Sequence, residues 1–167
     1  MTCCCSPGST KGAPLEREPV NLQVIVRDVC ADVAITSPGR LLIVDAPTLV
    51  MVIGDELRLR QVIANLVRNA VVHTPLGTPV EVWLGSSDGR ARLAVVDHGP
   101  GLSEEERGRV FEPFYRADKA RSRDSGGSGL GLSITSAVVQ SHRGKIDVAM
   151  TEGGGATFRV ELPLATS

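Results

Sequence analysis

Two asparagines four residues apart are the first candidates for chemistry in this chain. Asn65 and Asn69 lie in a segment, 55–73, whose apolar residues recur at helical spacing, so both amides are expected on one face of a helix. His73 lies one turn further along the same stripe. Neutral amides suit a site where Mg²⁺ keeps several waters and a polyphosphate supplies the negative charge. A solvated helix surface is the competing interpretation.

A single carboxylate stands at the end of a run that is typical of a buried strand. Asp97 follows the apolar segment 93–96, and burying a carboxylate is costly unless a donor reaches it. The amino group of adenine is such a donor, whereas guanine has a carbonyl at the equivalent position. Gly99 and Gly101 would let the backbone pass close to a flat base, because glycine has no Cβ. An ordinary Asp-x-Gly turn is the alternative.

A glycine-rich segment, 126–131, runs directly into an apolar helical pattern at 130–142. Free N–H groups and the positive dipole end at the start of a helix favour anions. The segment matches neither a P-loop, since no Gly-Lys-Ser/Thr is present, nor a Rossmann fingerprint, since no strand leads into it. A phosphate site is therefore the prediction, and a flexible hinge is the alternative.

Three of the chain's few aromatic residues precede a polar, glycine-rich stretch. Phe111, Phe114 and Tyr115 come just before the stretch, which extends to about 128. Long loops of this kind in compact domains are commonly lids, and we expect the aromatics to anchor its base by packing rather than by touching a ligand. The stretch also carries four cations that could engage a γ-phosphate or an acidic partner, or simply be solvated: Arg116, Lys119, Arg121 and Arg123.

Composition limits the class of protein. The 167 residues suffice for one domain with a core, and 18 Lys plus Arg against 19 Asp plus Glu give no basic patch that would favour nucleic acid. No apolar run is long enough for a membrane span and no export signal is evident, so a cytoplasmic protein without membrane insertion is expected. Cys3, Cys4, Cys5 and Cys30 lack the spacing of a disulfide framework or zinc site.

Periodicity and turn signals predict an α+β fold of two layers. The expected helices are 21–33, 55–73, a short one opening at 103, and 130–142; the expected strands are 40–46, 48–53, 78–85, 90–96, 144–150 and 155–162. Residues 1–19, rich in Pro, Gly, Ser and Thr, are expected to be disordered. The folded domain is then 20–163, followed by a tail at 164–167.

Four motifs together resemble the N, G1, F and G2 boxes of sensor histidine kinases: Asn-x-x-x-Asn-Ala at 65–70, Asp-x-Gly-x-Gly at 97–101, Phe-Glu-Pro-Phe-Tyr-Arg at 111–116 and Gly-Ser-Gly-Leu-Gly-Leu at 127–132. The resemblance runs from about 20 to 163. It implies the Bergerat-type ATP-binding fold, a two-layer sandwich with helices on one face of a mixed, mainly antiparallel sheet. Gyrase-type ATPases, Hsp90 chaperones and anti-sigma serine kinases share that fold.

The resemblance implies roles for individual residues. Asn69 would be the Mg²⁺ ligand and Asn65 a catalytic residue on the phosphate side, and Asp97 would hold the adenine amino group. Other positions implied to bind ATP are His73, Gly99, Gly101, Arg116, Gly127, Ser128, Gly129, Leu130, Gly131, Leu132 and Thr157.

One residue near the second asparagine departs from the family pattern, and another separates kinases from the water-activating members of the wider group. Val72 stands where many members carry a basic residue that reaches a phosphate. This difference should weaken nucleotide binding unless Arg116 or Arg121 takes over that task. Asn65 stands where water-activating members of the wider group carry a glutamate. Without a positioned base water is not activated, so intrinsic ATP hydrolysis should be slow.

No histidine in the chain fits the family's phosphoacceptor, which is followed by Glu or Asp on a helical hairpin. The three histidines are followed by Thr74, Gly99 and Arg143. The chain starts with Met and has no hairpin before 20. This resembles split kinases, with the acceptor histidine on a separate dimeric partner and a response regulator downstream. An anti-sigma-type serine kinase and a nucleotide-sensing pseudokinase, the latter suggested by Val72, are the alternatives.

Overall fold

A computed structural model describes residues 16–116 and 129–166. Within those ranges the chain forms β1 (Glu18–Asn21), α1 (Leu22–Thr36), β2 (Leu42–Asp45), β3 (Met51–Gly54), α2 (Glu56–His73), β4 (Val80–Ser87), β5 (Arg90–Val96), α3 (Glu104–Arg109), α4 (Gly131–Ser141), β6 (Lys145–Met150) and β7 (Ala156–Pro163). No helix in this part of the chain combines the length and the apolar content that crossing a membrane requires.

The main sheet has five strands in the order β2-β4-β5-β7-β6. Only the β2–β4 pair is parallel, and the other neighbours are antiparallel. Side chains alternate across it: Val80, Val82 and Leu84 of β4 are buried, whereas Trp83 between them is exposed. The buried side packs against α1 and α2, and α4 packs against β6. The predicted α+β class, with helices on one face of a mixed, mainly antiparallel sheet, is confirmed.

Local sequence signals explain where the elements begin and turn. Asp88 and Gly89 both have positive φ, 53° and 73°, which is the backbone of a tight hairpin between β4 and β5. The Asn21 side chain accepts from the N–H of Gln23 at the start of α1. A capping box opens α3, with Ser103 and Glu106 bonded reciprocally.

Residues near both ends of the described part of the chain are paired further than the sequence indicated. Strand β1 begins at Glu18, two residues before the predicted boundary, because Glu18–Asn21 pairs with Met51–Gly54 in a small second sheet. At the other end Leu164 bridges to Val52 and the Ala165 N–H donates to the Met51 carbonyl. Residues expected to be a tail therefore extend this pairing.

Most of the predicted lid, 117–128, lies outside the described residues.

Candidate nucleotide site

Asp97 is buried at the end of β5, with only 3% of its surface exposed. Its Oδ1 accepts two backbone hydrogen bonds of 3.0 Å, from the N–H groups of Gly99 and Ala156. The Asp97 N–H in turn donates to the Ala156 carbonyl. No residue in the described ranges donates to Oδ2. The fold thus fixes a buried carboxylate and leaves one of its oxygens for an external donor.

The glycines after Asp97 are required by contacts within the protein. A Cβ on Gly99 would lie 2.2 Å from the His73 carbonyl oxygen, and one on Gly101 would lie 2.9 Å from the Gly155 carbonyl oxygen. Gly101 also has a φ of +76°, which favours glycine. Close approach was predicted here, but the partner in the structure is backbone. The segment 97–101 is thereby held against the C-terminal end of α2.

The polar side chains along α2 face two different parts of the protein. Asn65 Nδ2 lies 3.3 Å from the Gly131 carbonyl and 3.4 Å from Thr135 Oγ1, so its amide nitrogen faces α4. Asn69, one turn later, is half-buried, and no described residue hydrogen-bonds its side chain. His73 is exposed at the end of the helix. The stripe therefore runs from the start of α4 to the segment that holds Asp97.

The start of α4 keeps its first N–H groups without a side-chain cap. Leu130 occupies the N-cap position, where its side chain offers no hydrogen bond, and a Cβ on Gly131 would meet nothing closer than 3.9 Å. These features suit an anion at the helix start. The Leu132 side chain instead packs against the core. Gly127 and Ser128 of the predicted phosphate segment lie outside the described residues.

The aromatic cluster divides into a core contact and a surface contact. Phe111 packs edge-on against Phe158 with ring centroids 6.2 Å apart, and the Arg109 guanidinium lies 4.7 Å from the Tyr115 ring centroid. Phe114 is exposed, and its N–H donates to the Gly129 carbonyl.

The described residues on either side of the predicted lid lie beside each other. A Cβ on Gly129 would come within 3.3 Å of Arg116 Cγ. Lys119, Arg121 and Arg123 fall outside the described residues.

Thr157, predicted to bind ATP, lies on the opposite face of the sheet from Asp97. Thr157 of β7 pairs with Val96 of β5, so both side chains lie on the open face of the sheet. Asp97 follows Val96, and its side chain points to the opposite face, towards the helices. The Thr157 hydroxyl lies 2.9 Å from that of Thr151. Ala156 lies beside Asp97 and donates its backbone N–H. The sequence did not predict this donor, because a backbone N–H is present whatever the side chain. The run Gly153-Gly154-Gly155 was the available signal for a close approach here.

A magnesium site at Asn69 fits the donors present. No cluster of three or more His, Cys, Asp or Glu residues forms a metal cage in the described part of the chain. Mg²⁺ characteristically takes one or two protein oxygens together with waters and substrate phosphates. The Asn69 amide oxygen, without a described protein partner, is a suitable single ligand.

Comparisons with known proteins identify the family of this chain. The family model described as histidine kinase-, DNA gyrase B-, and HSP90-like ATPase matches residues 54–166. The probable sensor histidine kinase TcrY of Mycobacterium tuberculosis is 43% identical over 154 residues, covering 92% of this chain and 32% of that protein. The signal transduction histidine-protein kinase BaeS of Escherichia coli is 40% identical over 128 residues, covering 77% and 27%. The chain spans about a third of the length of these curated relatives.

Solved structures give the same result at the level of the fold. The mycobacterial sensor histidine kinase MprB superposes with a TM-score of 0.80 at 31% identity, over 90% of this chain and 99% of that one. Full-length ShkA in complex with AMPPNP gives a TM-score of 0.77 at 32% identity, over 93% and 32%. The chain therefore belongs to the family of histidine kinase-, DNA gyrase B- and HSP90-like ATPases, as an ATP-binding domain of the sensor histidine kinase type.

Proposed function

We propose that this chain binds Mg-ATP between α2, the start of α4 and the end of β5, and transfers the γ-phosphoryl group to a histidine on a separate dimeric protein. That partner would pass the phosphoryl group to a response regulator. The reaction would take place in the cytoplasm, where ATP is available. The observation that carries the proposal is the buried Asp97 carboxylate with one oxygen fixed and the other without a described donor.

On the adenine side, Asp97 Oδ2 would accept a hydrogen bond from the exocyclic amino group. The two N–H groups on Oδ1 hold the carboxylate in one orientation before the base arrives. The backbone contact between Gly99 and His73 keeps the segment 97–101 close to α2. The complex of the relative ShkA with AMPPNP, an ATP analogue, supports an adenine nucleotide as the ligand.

On the phosphate side, Asn69 would hold Mg²⁺, which when bound neutralises charge on the β- and γ-phosphates. The uncapped start of α4 would receive phosphate oxygens, with Gly129 and Gly131 in the adjacent backbone and Arg116 at the base of the lid. Asn65 orients the start of α4 through its bond to the Gly131 carbonyl. An amide cannot act as a general base, so attack by water would be slow and the phosphoryl group would be kept for a protein nucleophile.

The proposal of an acceptor in trans is supported by the positions of the three histidines. His73 is exposed at the end of α2, His98 Nε2 lies 2.8 Å from Glu81 Oε1, and His142 contacts the start of α2. All three belong to the ATP-binding fold itself, and none is followed by an acidic residue.

A transfer assay tests the acceptor. The chain is mixed with radiolabelled Mg-ATP and each candidate dimeric histidine protein. We expect acid-labile, base-stable phosphate on the partner. Label only on this chain would contradict the trans arrangement, and acid-stable phosphoserine on a partner would favour the serine kinase alternative. Saturable ATP binding without transfer to any candidate would favour the pseudokinase.

A substitution at Asp97 tests the adenine assignment. Asp97→Asn keeps an oxygen for the Gly99 and Ala156 N–H groups but offers an N–H donor toward the adenine amino group. We expect ATP binding, measured by titration calorimetry, to weaken by about 1–3 kcal/mol. Asp147→Asn is the matched control, because Asp147 is exposed and bonds Arg159 on the open face of the sheet. Equal affinities of both variants would contradict the assignment.

A further inference from the structure

The side chain of His142, the residue that follows α4, is bonded to Asp55, the N-cap residue of α2. The Asp55 N–H donates to His142 Nε2 at 3.0 Å, and His142 Nδ1 lies 2.8 Å from the Val138 carbonyl. A backbone N–H can only donate, so Nε2 must be the acceptor and the ring proton sits on Nδ1, where it is donated to Val138. The side chain is therefore a neutral imidazole that joins two helices.

This bond completes the N-terminal cap of α2 from outside the helix. The Asp55 side chain accepts from the Arg58 N–H, which is half of a capping box. The other half needs an acceptor at the N3 position, as Glu106 supplies in α3. In α2 that position is Arg58, which has no acceptor. His142 takes its place.

The backbone of β3 leaves room for the ring. A Cβ on Gly54 would lie 2.5 Å from His142 Cδ2 and 2.7 Å from Nε2. Gly54 has no positive φ that would otherwise require glycine. The absence of its side chain is thus what allows the imidazole to reach Asp55.

Two ties fix α4 against α2 in an antiparallel arrangement. At one end Asn65 bonds the Gly131 carbonyl and Thr135, and at the other His142 bonds the start of α2. Asn65 is ten residues after Asp55, and Gly131 is eleven before His142. Both separations are about 15–17 Å along a helix, so the two ties match in spacing. Two separated ties, added to the packing of α4, restrict its orientation on α2 more than a single tie would.

We propose that His142 is a positioning residue for nucleotide binding, which holds the phosphate end of α4 in register with the asparagines of α2. The inference rests on the proposed function, because it assigns the start of α4 to the phosphates. Its effect is specific: loss of the tie should weaken binding of ATP, whose phosphates meet α4, and spare adenosine, which meets only the segment around Asp97.

Two conservative variants separate the tie from the rest of the imidazole. His142→Gln places an acceptor near the position of Nε2, whereas His142→Asn keeps a donor near the position of Nδ1 and is too short to reach Asp55. We expect Mg-ATP affinity of the full chain to fall about fivefold in His142→Asn, the scale of one hydrogen bond, and to stay within about twofold in His142→Gln. Adenosine binding, followed by NMR titration, should be unchanged in both.

Gly54→Ala tests the same contact from the opposite side. It should lower ATP affinity as His142→Asn does, and the double variant should lose no more than either single variant. Equal ATP affinity of wild type and both single variants would overturn the inference, as would parallel losses for ATP and adenosine. If wild type itself bound no Mg-ATP, the proposed function would fail instead. Should His142→Asn not fold, Gly54→Ala alone decides between these outcomes.

Discussion

Gly99 is packed so closely against the end of α2 that no side chain fits. An added Cβ would lie 2.2 Å from the His73 carbonyl oxygen, a backbone atom that cannot rotate away. We expect Gly99→Ala to lower the free energy of unfolding by about 1–3 kcal/mol, as overpacking does, and to weaken ATP binding because the segment around Asp97 must shift. Urea unfolding and calorimetry measure the two effects.

Gly85→Ala is the matched control for Gly99→Ala. Gly85 lies in β4, has no positive φ, and an added Cβ there would have no neighbour within 4 Å. We expect it to leave ATP affinity unchanged. If the two variants behaved alike, the tight contact would not be the reason for glycine at position 99.

Cys30 is a core thiol whose chemistry is suppressed by its surroundings. Burial raises its pKa from 9.0 to about 11, because an apolar environment disfavours the thiolate. The folded state therefore holds the proton more tightly than the unfolded state, and this contribution to stability is full below pH 9 and is lost as the pH rises towards 11.

Alkylation measures the protection of Cys30. In a variant with Cys3, Cys4 and Cys5 changed to serine, Cys30 is the remaining thiol. We expect iodoacetamide at pH 8 to react far more slowly with the native protein than with the protein in urea, because the thiolate is the reactive form. Equal rates would show that the thiol is accessible or ionised in the folded state.

At the scale of elements, the contact between α2 and α4 depends on a buried polar group. Thr135 is completely buried, and its hydroxyl receives the Asn65 amide at 3.4 Å. Thr135→Val preserves shape and removes the acceptor, so we expect a loss of stability of about 1 kcal/mol. The control is Ser136→Ala on the same helix, since the Ser136 hydroxyl only receives the Gln140 side chain of α4 itself. Thermal unfolding that ranks the control as the more damaging change would contradict this account.

Elements with strong local signals could be predicted from the sequence. The caps at Asn21 and Ser103 and the turn at Asp88-Gly89 depend on residues within a few positions of one another. The four motifs likewise indicated the family, because each combines residue types with a short fixed spacing. Local chemistry therefore accounts for most of the boundaries and for the family.

Features that depend on pairing between distant strands could not be predicted. Strand β1 exists because Glu18–Asn21 meets Met51–Gly54, and its own four residues have no distinctive pattern. The face of Thr157 follows from its register with Val96, and a shift of one residue would reverse it. The ring of His142 meets Asp55 across 87 positions. None of these contacts is encoded within a window of neighbouring residues.

At the scale of the whole molecule, α2 connects every part of the proposed site. Its N-cap residue Asp55 bonds His142, its middle bonds the start of α4 through Asn65, and the carbonyl of its last residue, His73, lies against Gly99. The apolar side of the same helix is buried in the core, with Leu66 and Val67 fully enclosed. Core packing and the geometry of the proposed site are therefore set by one rigid element.

The C-terminal residues beyond β7 join the two sheets, so their removal should destabilise the whole domain. The Leu164 N–H donates to the Gly89 carbonyl at the β4–β5 hairpin, while the Ala165 N–H donates to Met51 in β3. The Leu164 side chain is half-buried against the core. We expect deletion from 164 onwards to lower the free energy of unfolding in urea by about 1–2 kcal/mol, on the scale of partial burial of one leucine.

A shorter deletion distinguishes these contacts from a general effect of truncation. Thr166 is exposed, so deletion from 166 onwards keeps Leu164 and Ala165 and should leave the midpoint of urea unfolding unchanged. The slope of the transition should be the same for both proteins, because each still unfolds as one unit. A changed slope in the longer deletion would mean that the small sheet unfolds separately, and equal midpoints would mean that Leu164 and Ala165 contribute nothing to the joint between the sheets.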